Sequence, residues 1–201
     1  MRKNTQQLKS FILYGEALEW LNGELLGDGC VRAKSSQTAS FVYGSKFLEY
    51  IKYVSYTLRR FGIIRAGKIR RYYNKKYGNW LYMYTSCSYY ELKFLQELWY
   101  PDGIKDVPVD LELTPLVCRQ WYIGDGTLAC SGHTYFIVLS TQAFSKSGVV
   151  SLAKQLTNIG IQATRQLSSN TIYISTHSVK DFLTYIGKCP VDCYKYKWEV
   201  S

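Results

Sequence analysis

Two short stretches carry the acids with which this chain could do chemistry. They are Leu21-Asn22-Gly23-Glu24-Leu25-Leu26-Gly27-Asp28-Gly29 and, about a hundred residues later, Cys118-Arg119-Gln120-Trp121-Tyr122-Ile123-Gly124-Asp125-Gly126. Each reads as an apolar helix with small residues at helical spacing, closed by a carboxylate and a glycine. Gly23 and Gly27 stand four residues apart on one helix face, so a second helix can approach until the backbones nearly touch. If the second stretch is that partner, Asp28 and Asp125 emerge side by side. Adjacent carboxylates repel unless a divalent cation lies between them, which points to a metal-dependent centre. Either Asp-Gly alone is an ordinary turn or helix end; the pair at a domain-sized interval is what carries information. Glu24 is either a third acid near the site or an exposed or interface helix residue.

The setting of these acids is basic. The chain has 25 Lys+Arg against 15 Asp+Glu, a formal charge of +10, and 19 Tyr with 5 Trp. That balance favours a polyanionic partner, with rings suited to packing and to nucleic-acid contacts, without separating DNA from RNA. The charge is uneven: residues 1–100 hold 16 Lys+Arg and 7 Asp+Glu, and residues 101–201 hold 9 and 8. At 201 residues and 47% hydrophobic, the chain can bury a sizeable core as one domain or two small ones. No apolar run approaches the ~20 residues of a membrane span, and Met1-Arg2-Lys3-Asn4-Thr5-Gln6-Gln7 lacks a signal peptide's apolar segment. The expectation is a soluble intracellular protein, neither membrane-bound nor secreted. Six cysteines, scattered without the density of a disulfide scaffold, are expected as thiols. Cys189 and Cys193 lack the second close pair that a structural zinc site needs.

Bringing the acids together requires two helices, and the pattern around each is similar. Residues 9–28, with Phe11, Ile12, Tyr14, Ala17, Leu18, Leu21, Leu25 and Leu26, predict a helix with Ser10 as its cap. Residues 30–34 and 39–44 predict a hairpin, and 46–61 an amphipathic helix stopped by Gly62. A second hairpin, 65–73 with 79–85, precedes a short helix over 89–99. Residues 101–113, with acids and prolines, read as a surface linker. Beyond it come a helix at about 114–125, a strand over 135–141, a helix at about 146–159 closed by Gly160, strands at 163–167 and 171–175, and a helix at about 178–186. Asp28 to Gly62 is 34 residues and Asp125 to Gly160 is 35, and isoleucine follows each glycine. The fold read from this repeat is α+β: two αββαββα halves, 1–100 and 114–201, joined by the 101–113 linker and related by a pseudo-twofold axis, each with one antiparallel sheet. The second hairpin of the first half is the most basic part. Alternation puts Lys68, Arg70 and Tyr72 on one face and Ile69, Arg71 and Tyr73 on the other, with Lys75 and Lys76 in the turn. Such a ribbon fits a DNA major groove; the other reading is a solvated edge hairpin protected by its charges.

Both nine-residue stretches resemble the motif of the LAGLIDADG homing endonucleases, with Asp28 and Asp125 in the place of the catalytic acid. The first copy keeps Leu, Gly, the small seventh residue Gly27 and the final Asp-Gly, with Glu24 where an apolar residue is usual. The second keeps Gly124-Asp125-Gly126, has Gln120 where glycine is usual, and is preceded by a family-like Leu113-Thr114-Pro115. The resemblance implies two four-stranded sheets forming a DNA-binding saddle, with the motif helices as the interface beneath. It implies a one-chain monomer whose target need not be palindromic. Asp28 and Asp125 would hold the metals, with backbone carbonyls near Gly27 and Gly124 completing the coordination. Mg²⁺ suits such oxygen ligands, with Mn²⁺ as a possible substitute. Gln142 would orient water and Lys146 would contact phosphate; in the first half Gly44-Ser45-Lys46 lacks the glutamine and leaves Lys46. The family's lysine after the last helix corresponds to Lys105 and Lys195. Strand residues such as Arg32, Lys34, Arg70, Tyr72 and Arg165 would carry specificity.

The leading expectation is a site-specific, Mg²⁺-dependent endonuclease that cuts both strands of double-stranded DNA across the minor groove and leaves 3′ overhangs. The alternatives are an intron RNA maturase or a DNA-binding protein without cleavage on the same scaffold, and, more remotely, a structural RNA-binding protein. Both acids are present, which favours the nuclease, since a pure binder has no use for two carboxylates facing a polyanion.

Overall fold

The computed structural model describes residues 10–75 and 78–200. In chain order the elements are α1 (Glu16–Leu26), β1 (Cys30–Ala33), β2 (Ala39–Ser45), α2 (Leu48–Arg60), β3 (Arg70–Asn74), β4 (Asn79–Thr85) and α3 (Tyr90–Trp99). There follow α4 (Pro115–Asp125), β5 (Gly126–Ser131), β6 (Thr134–Leu139), α5 (Lys146–Asn158), β7 (Ala163–Gln166), β8 (Thr171–Ile174) and α6 (Val179–Ile186), with a 3₁₀ turn at Asp192–Lys197. The αββαββα order therefore occurs twice. The chain forms two compact units, residues 1–13 with 30–97, and residues 14–29 with 98–201. Helix α1 falls in the second unit because it packs on α4 there.

The first unit holds a four-stranded antiparallel sheet in the order β1-β2-β4-β3. Phe41 and Tyr43 of β2 and Tyr84 of β4 turn to one face, under α2, which buries Tyr50, Ile51, Val54 and Leu58. In the second unit the order is β5-β6-β8-β7. There Ile137, Leu139, Ile172 and Ile174 pack beneath α5 and α6. Each such aliphatic residue contributes about 1.5–3 kcal/mol by leaving water. As the pattern predicts, Gly62 and Gly160 close α2 and α5, with φ of 85° and 87° that side-chain-bearing residues rarely adopt.

Three expectations change. The first helix begins at Glu16, not near residue 9, because Gly15 takes a φ of 54° and interrupts the chain. Phe11 is buried as its spacing suggested, but in the first unit: its ring meets Tyr89 edge-on at 5.3 Å and its N–H donates to Glu91 at 3.2 Å. The strand expected from residue 65 begins at Arg70, with only an isolated bridge from Arg65 to Ser86, so Lys68 precedes the strand. The 101–113 segment is no solvated tether. Leu111 and Leu113 are buried, and Asp106 accepts the Ser145 N–H at 3.0 Å at the start of α5. Strand β5 carries no apolar run in its sequence to mark it. All six cysteines are free thiols. No helix among the described residues is long and apolar enough to cross a membrane.

Candidate active site at the junction of two helices

Glycine decides how closely α1 and α4 approach. A Cβ at Gly23 would lie 2.6 Å from the Val117 carbonyl oxygen and 2.7 Å from the Gln120 Cβ. Further along, the backbones themselves meet: a Cβ on Gly124 would come within 3.0 Å of the Gly27 Cα and the Asp28 nitrogen. Only residues without side chains permit this. Polar pairs fix the register. Gln120 Nε2 donates to Glu24 Oε1 at 2.6 Å, the Thr114 hydroxyl donates to Glu19 at 2.6 Å, and the Trp99 indole donates to Asn22 at 3.0 Å. Glu24 and Gln120 are buried, so Glu24 is the interface residue rather than a third acid of the site.

With the helix ends so joined, Asp28 and Asp125 are neighbours. Asp28 keeps an exposed edge and Asp125 is half-buried, yet protein crowds both carboxylates from the helix side. Burial raises Asp28 above its ordinary value against the pull of Lys197 and Lys105. Asp125 is raised to about 7 by burial and then by the charge of Asp28, with the same two lysines opposing.

Both lysines reach the site by holding helix ends. Lys105 Nζ donates to the carbonyls of Gly27 at 3.1 Å and Gly29 at 2.8 Å. Lys197 Nζ donates to those of Tyr122 at 3.2 Å, Ile123 at 2.7 Å and Gly126 at 2.6 Å. Terminal helix carbonyls lack intrahelical donors and carry the negative end of the dipole, so an ammonium is well matched to them. The choice of Lys195 is corrected. Its side chain is exposed and paired with Asp192 at 2.7 Å, while the lysine of this turn that acts on both aspartates is Lys197. The signal was there to read: in a 3₁₀ turn, residues three apart share a side, and Val191, Tyr194 and Lys197 are all buried.

Two clefts flank Asp125. One, of about 270 Å³, is lined by Gly27, Lys105, Asp125, Gln142 and Phe144 among others. The other, of about 240 Å³, is lined by Asp125, Thr127, Ser140, Tyr196 and Lys197 among others. Gln142 lines the first of these clefts together with Asp125. Lys146 is exposed as the first residue of α5, and Lys46 is exposed just before α2 in the first unit.

The expected DNA-contacting residues divide by face. Cross-strand register places Arg32, Arg70 and Tyr72 together on the face of the first sheet opposite Phe41, Tyr43 and Tyr84. Arg71 points the other way, its guanidinium 4.4 Å from the Trp80 ring. Lys34, Lys68 and Lys75 are exposed outside the strands; Lys76 lies outside the described residues. Arg165 departs from the expectation. It pairs opposite Ile172 on the helix-covered face of the second sheet, and its Nε donates to Asn170 at 2.7 Å.

The donor set fits a divalent metal of the Mg²⁺ type. Two crowded carboxylates gain by sharing a cation, and they offer oxygen donors, with no cysteine or histidine among the described residues lining the two clefts. Among the described residues no group of three or more His, Cys, Asp or Glu could hold a metal, so Asp28 and Asp125 would be the only carboxylate ligands. The Gly27 carbonyl, expected as a further ligand, accepts Lys105.

The αββαββα order thus occurs twice, and a glycine contact between α1 and α4 sets two aspartates together. The model of the LAGLIDADG DNA endonuclease family matches residues 18–182, and the chain belongs to that family. It is 32% identical over 129 residues to an uncharacterized protein of Methanocaldococcus jannaschii, covering 63% of this chain and 49% of that protein. It is 28% identical over 140 residues to DNA endonuclease I-ChuI of Chlamydomonas applanata, covering 62% and 63%. The matches thus span about half to under two-thirds of these relatives' lengths. Among solved structures, the homing endonuclease I-WcaI bound to its DNA recognition sequence superposes with a TM-score of 0.83 at 19% identity, covering 100% of this chain and 96% of that one. A glutamate-to-alanine variant of I-DmoI in complex with its target DNA in the presence of manganese gives 0.50 at 14% identity, covering 84% and 91%. At these identities the likeness establishes the fold, an α+β architecture with two four-stranded antiparallel sheets.

Proposed function

We propose that the chain is a site-specific homing endonuclease that makes a double-strand cut in a long, asymmetric DNA target, across the minor groove and with 3′ overhangs. It acts as a monomer and uses Mg²⁺, with Mn²⁺ able to substitute. The observation that carries this reading is the Gly27–Gly124 contact, which sets Asp28 beside Asp125 between two lysine-capped helix ends. I-WcaI and I-DmoI support it as relatives in fold bound to DNA, I-DmoI also with manganese or magnesium present.

On this reading the aspartates hold the metal, which when bound neutralises phosphate charge and makes water a nucleophile near neutral pH. The chain does the rest. Lys105 and Lys197 fix the helix ends and set positive charge beside a phosphate diester. Gln142, in the cleft with Asp125 and Lys105, orients the attacking water on one strand. The open face of each sheet binds the duplex, and Lys46 and Lys146 bind flanking phosphates.

The test is selection of duplexes from a random library in Ca²⁺, transfer to Mg²⁺, and comparison with Asp28→Asn and Asp125→Asn. Cleavage of both strands by the native chain, lost in each variant while binding persists, is the expected result. Tight binding without cleavage would replace this reading with a binding protein or a maturase.

A further inference from the structure

We infer that the two sheets read DNA by different chemistries: the first reads guanine through Arg32 and Arg70, and the second reads thymine methyl groups through an uncharged face. This rests on the endonuclease reading and deepens it. In an antiparallel pair, directly opposed residues share a face and neighbours along a strand alternate. In the second unit Ile137, Leu139, Ile172 and Ile174 define the helix-covered face, each 0% exposed. The opposite face then carries Thr127 and Ala129 of β5, Phe136 and Val138 of β6, Tyr173 of β8 and Gln166 of β7. No residue on that face of the four strands bears a charge. Arg165, the single basic residue in these strands, is turned to the covered side and held by Asn170. The rings of Phe136 and Tyr173 lie together, 5.2 Å between centroids, and remain half-exposed. A polyanion-binding surface with this composition has nothing to offer phosphate or guanine beyond hydroxyls and one amide. What it offers is apolar area.

The first unit differs. On its open face Arg32 stands opposite Ser40 and Arg70 opposite Met83, both arginines exposed. An arginine fork matches the O6 and N7 acceptors of guanine, whereas apolar side chains and threonine contact the thymine C5 methyl. The two surfaces therefore call for unlike half-sites, one bearing guanines and one rich in thymine.

The inference is tested on the duplex selected by the native chain in Ca²⁺. Selection with Arg32→Ala and Arg70→Ala identifies the half-site read by the first unit, as the half whose base preferences relax. In each half separately, thymine is replaced by deoxyuridine, which lacks only the methyl, and guanine by 7-deazaguanine, which lacks the N7 acceptor. Deoxyuridine should weaken binding about fourfold for each contacted methyl, in the half untouched by the arginine variants, and Phe136→Ala should reduce that sensitivity. The 7-deazaguanine effect should be about tenfold per contacted guanine and confined to the other half. A selected duplex that responds to both analogues alike in both halves, or not at all to deoxyuridine, would overturn the inference and leave the endonuclease reading standing. Failure to select any duplex would overturn both.

Discussion

Lys105 and Lys197 occupy corresponding places beside Asp28 and Asp125: Lys105 draws its ammonium onto the Gly27 and Gly29 carbonyls just past the end of α1, and Lys197 onto the Tyr122 and Ile123 carbonyls of the last turn of α4 and the Gly126 carbonyl beyond it. They are not equal. Lys197 is 7% exposed and flanked by the rings of Tyr122 and Tyr194, whereas Lys105 is half-exposed.

Lys197→Met should therefore remove a donor from three buried carbonyls at once and cost about 2–4 kcal/mol of stability. Lys195→Met should leave stability and cleavage unchanged, its pair with Asp192 being solvated. Urea unfolding and cleavage of a selected duplex compare the two. Equal effects would reassign the lysine of this site.

Gly23→Ala sets two effects against each other. Alanine is the better helix former by about 1 kcal/mol. Its methyl, however, would meet the Val117 backbone oxygen at 2.6 Å, and backbone cannot swing aside. Overpacking costs about 1–3 kcal/mol and should win, lowering the unfolding midpoint and, by parting the helix ends, the cleavage rate. A stabilised variant would mean that α1 and α4 are less tightly packed than described.

The helix pair was legible because glycine at helical spacing has few uses other than close approach. The hydrophobic periods of α2, α5 and α6 were legible because each helix buries one stripe. What misled was equally physical. Phe11 has the right spacing for α1 but is buried in a different core, and spacing cannot say in which. Lys195 and Lys197 lie two apart in a turn with a period near three, so only Lys197 shares a side with Tyr194, and strand alternation, which puts both on one face, does not separate them. Asp106 sits in a segment with the composition of a linker, and its bond to the Ser145 N–H is a long-range contact without local signature.

The Glu24–Gln120 hydrogen bond is buried between α1 and α4. Gln120→Leu should cost about 1–3 kcal/mol by removing the amide donor to the buried Glu24 carboxyl. Glu24→Leu combined with Gln120→Leu should recover most of that loss. A double-mutant cycle by chemical denaturation should give a coupling of about 1–3 kcal/mol; additive effects would show that the pair is not energetically linked.

Asp106 supplies a pH dependence. Burial works to raise its pKa, but the bonds from Ser145 and Val107 outweigh it and hold the carboxyl below its ordinary value of 3.8. A depressed carboxylate stabilises the fold above the unfolded value and loses that contribution as pH falls through the folded one. Asp106→Asn should therefore be less stable than the native chain at pH 5–7, with the gap closing as the pH falls below about 3.8. Gly148→Ala, whose methyl would come within 2.9 Å of the Asp106 carboxylate oxygen, should produce a similar loss at neutral pH. Thermal melts across the acid range read both, and a gap that persists at low pH would remove the charge from the explanation.

The second unit is discontinuous in sequence, with residues 30–97 threaded between α1 and the remainder. A fragment of residues 1–100 would carry Asp28 on a helix whose Gly23 face is closed only by α4, and a fragment of residues 114–201 would carry Asp125 on a helix with no counterpart for that contact. Neither repeat is self-sufficient. As the chain leaves the ribosome, α1 waits without its partner while the first unit is made. On the endonuclease reading, chemistry at this site waits until α4 has been made, and a product truncated before α4 lacks the paired aspartates.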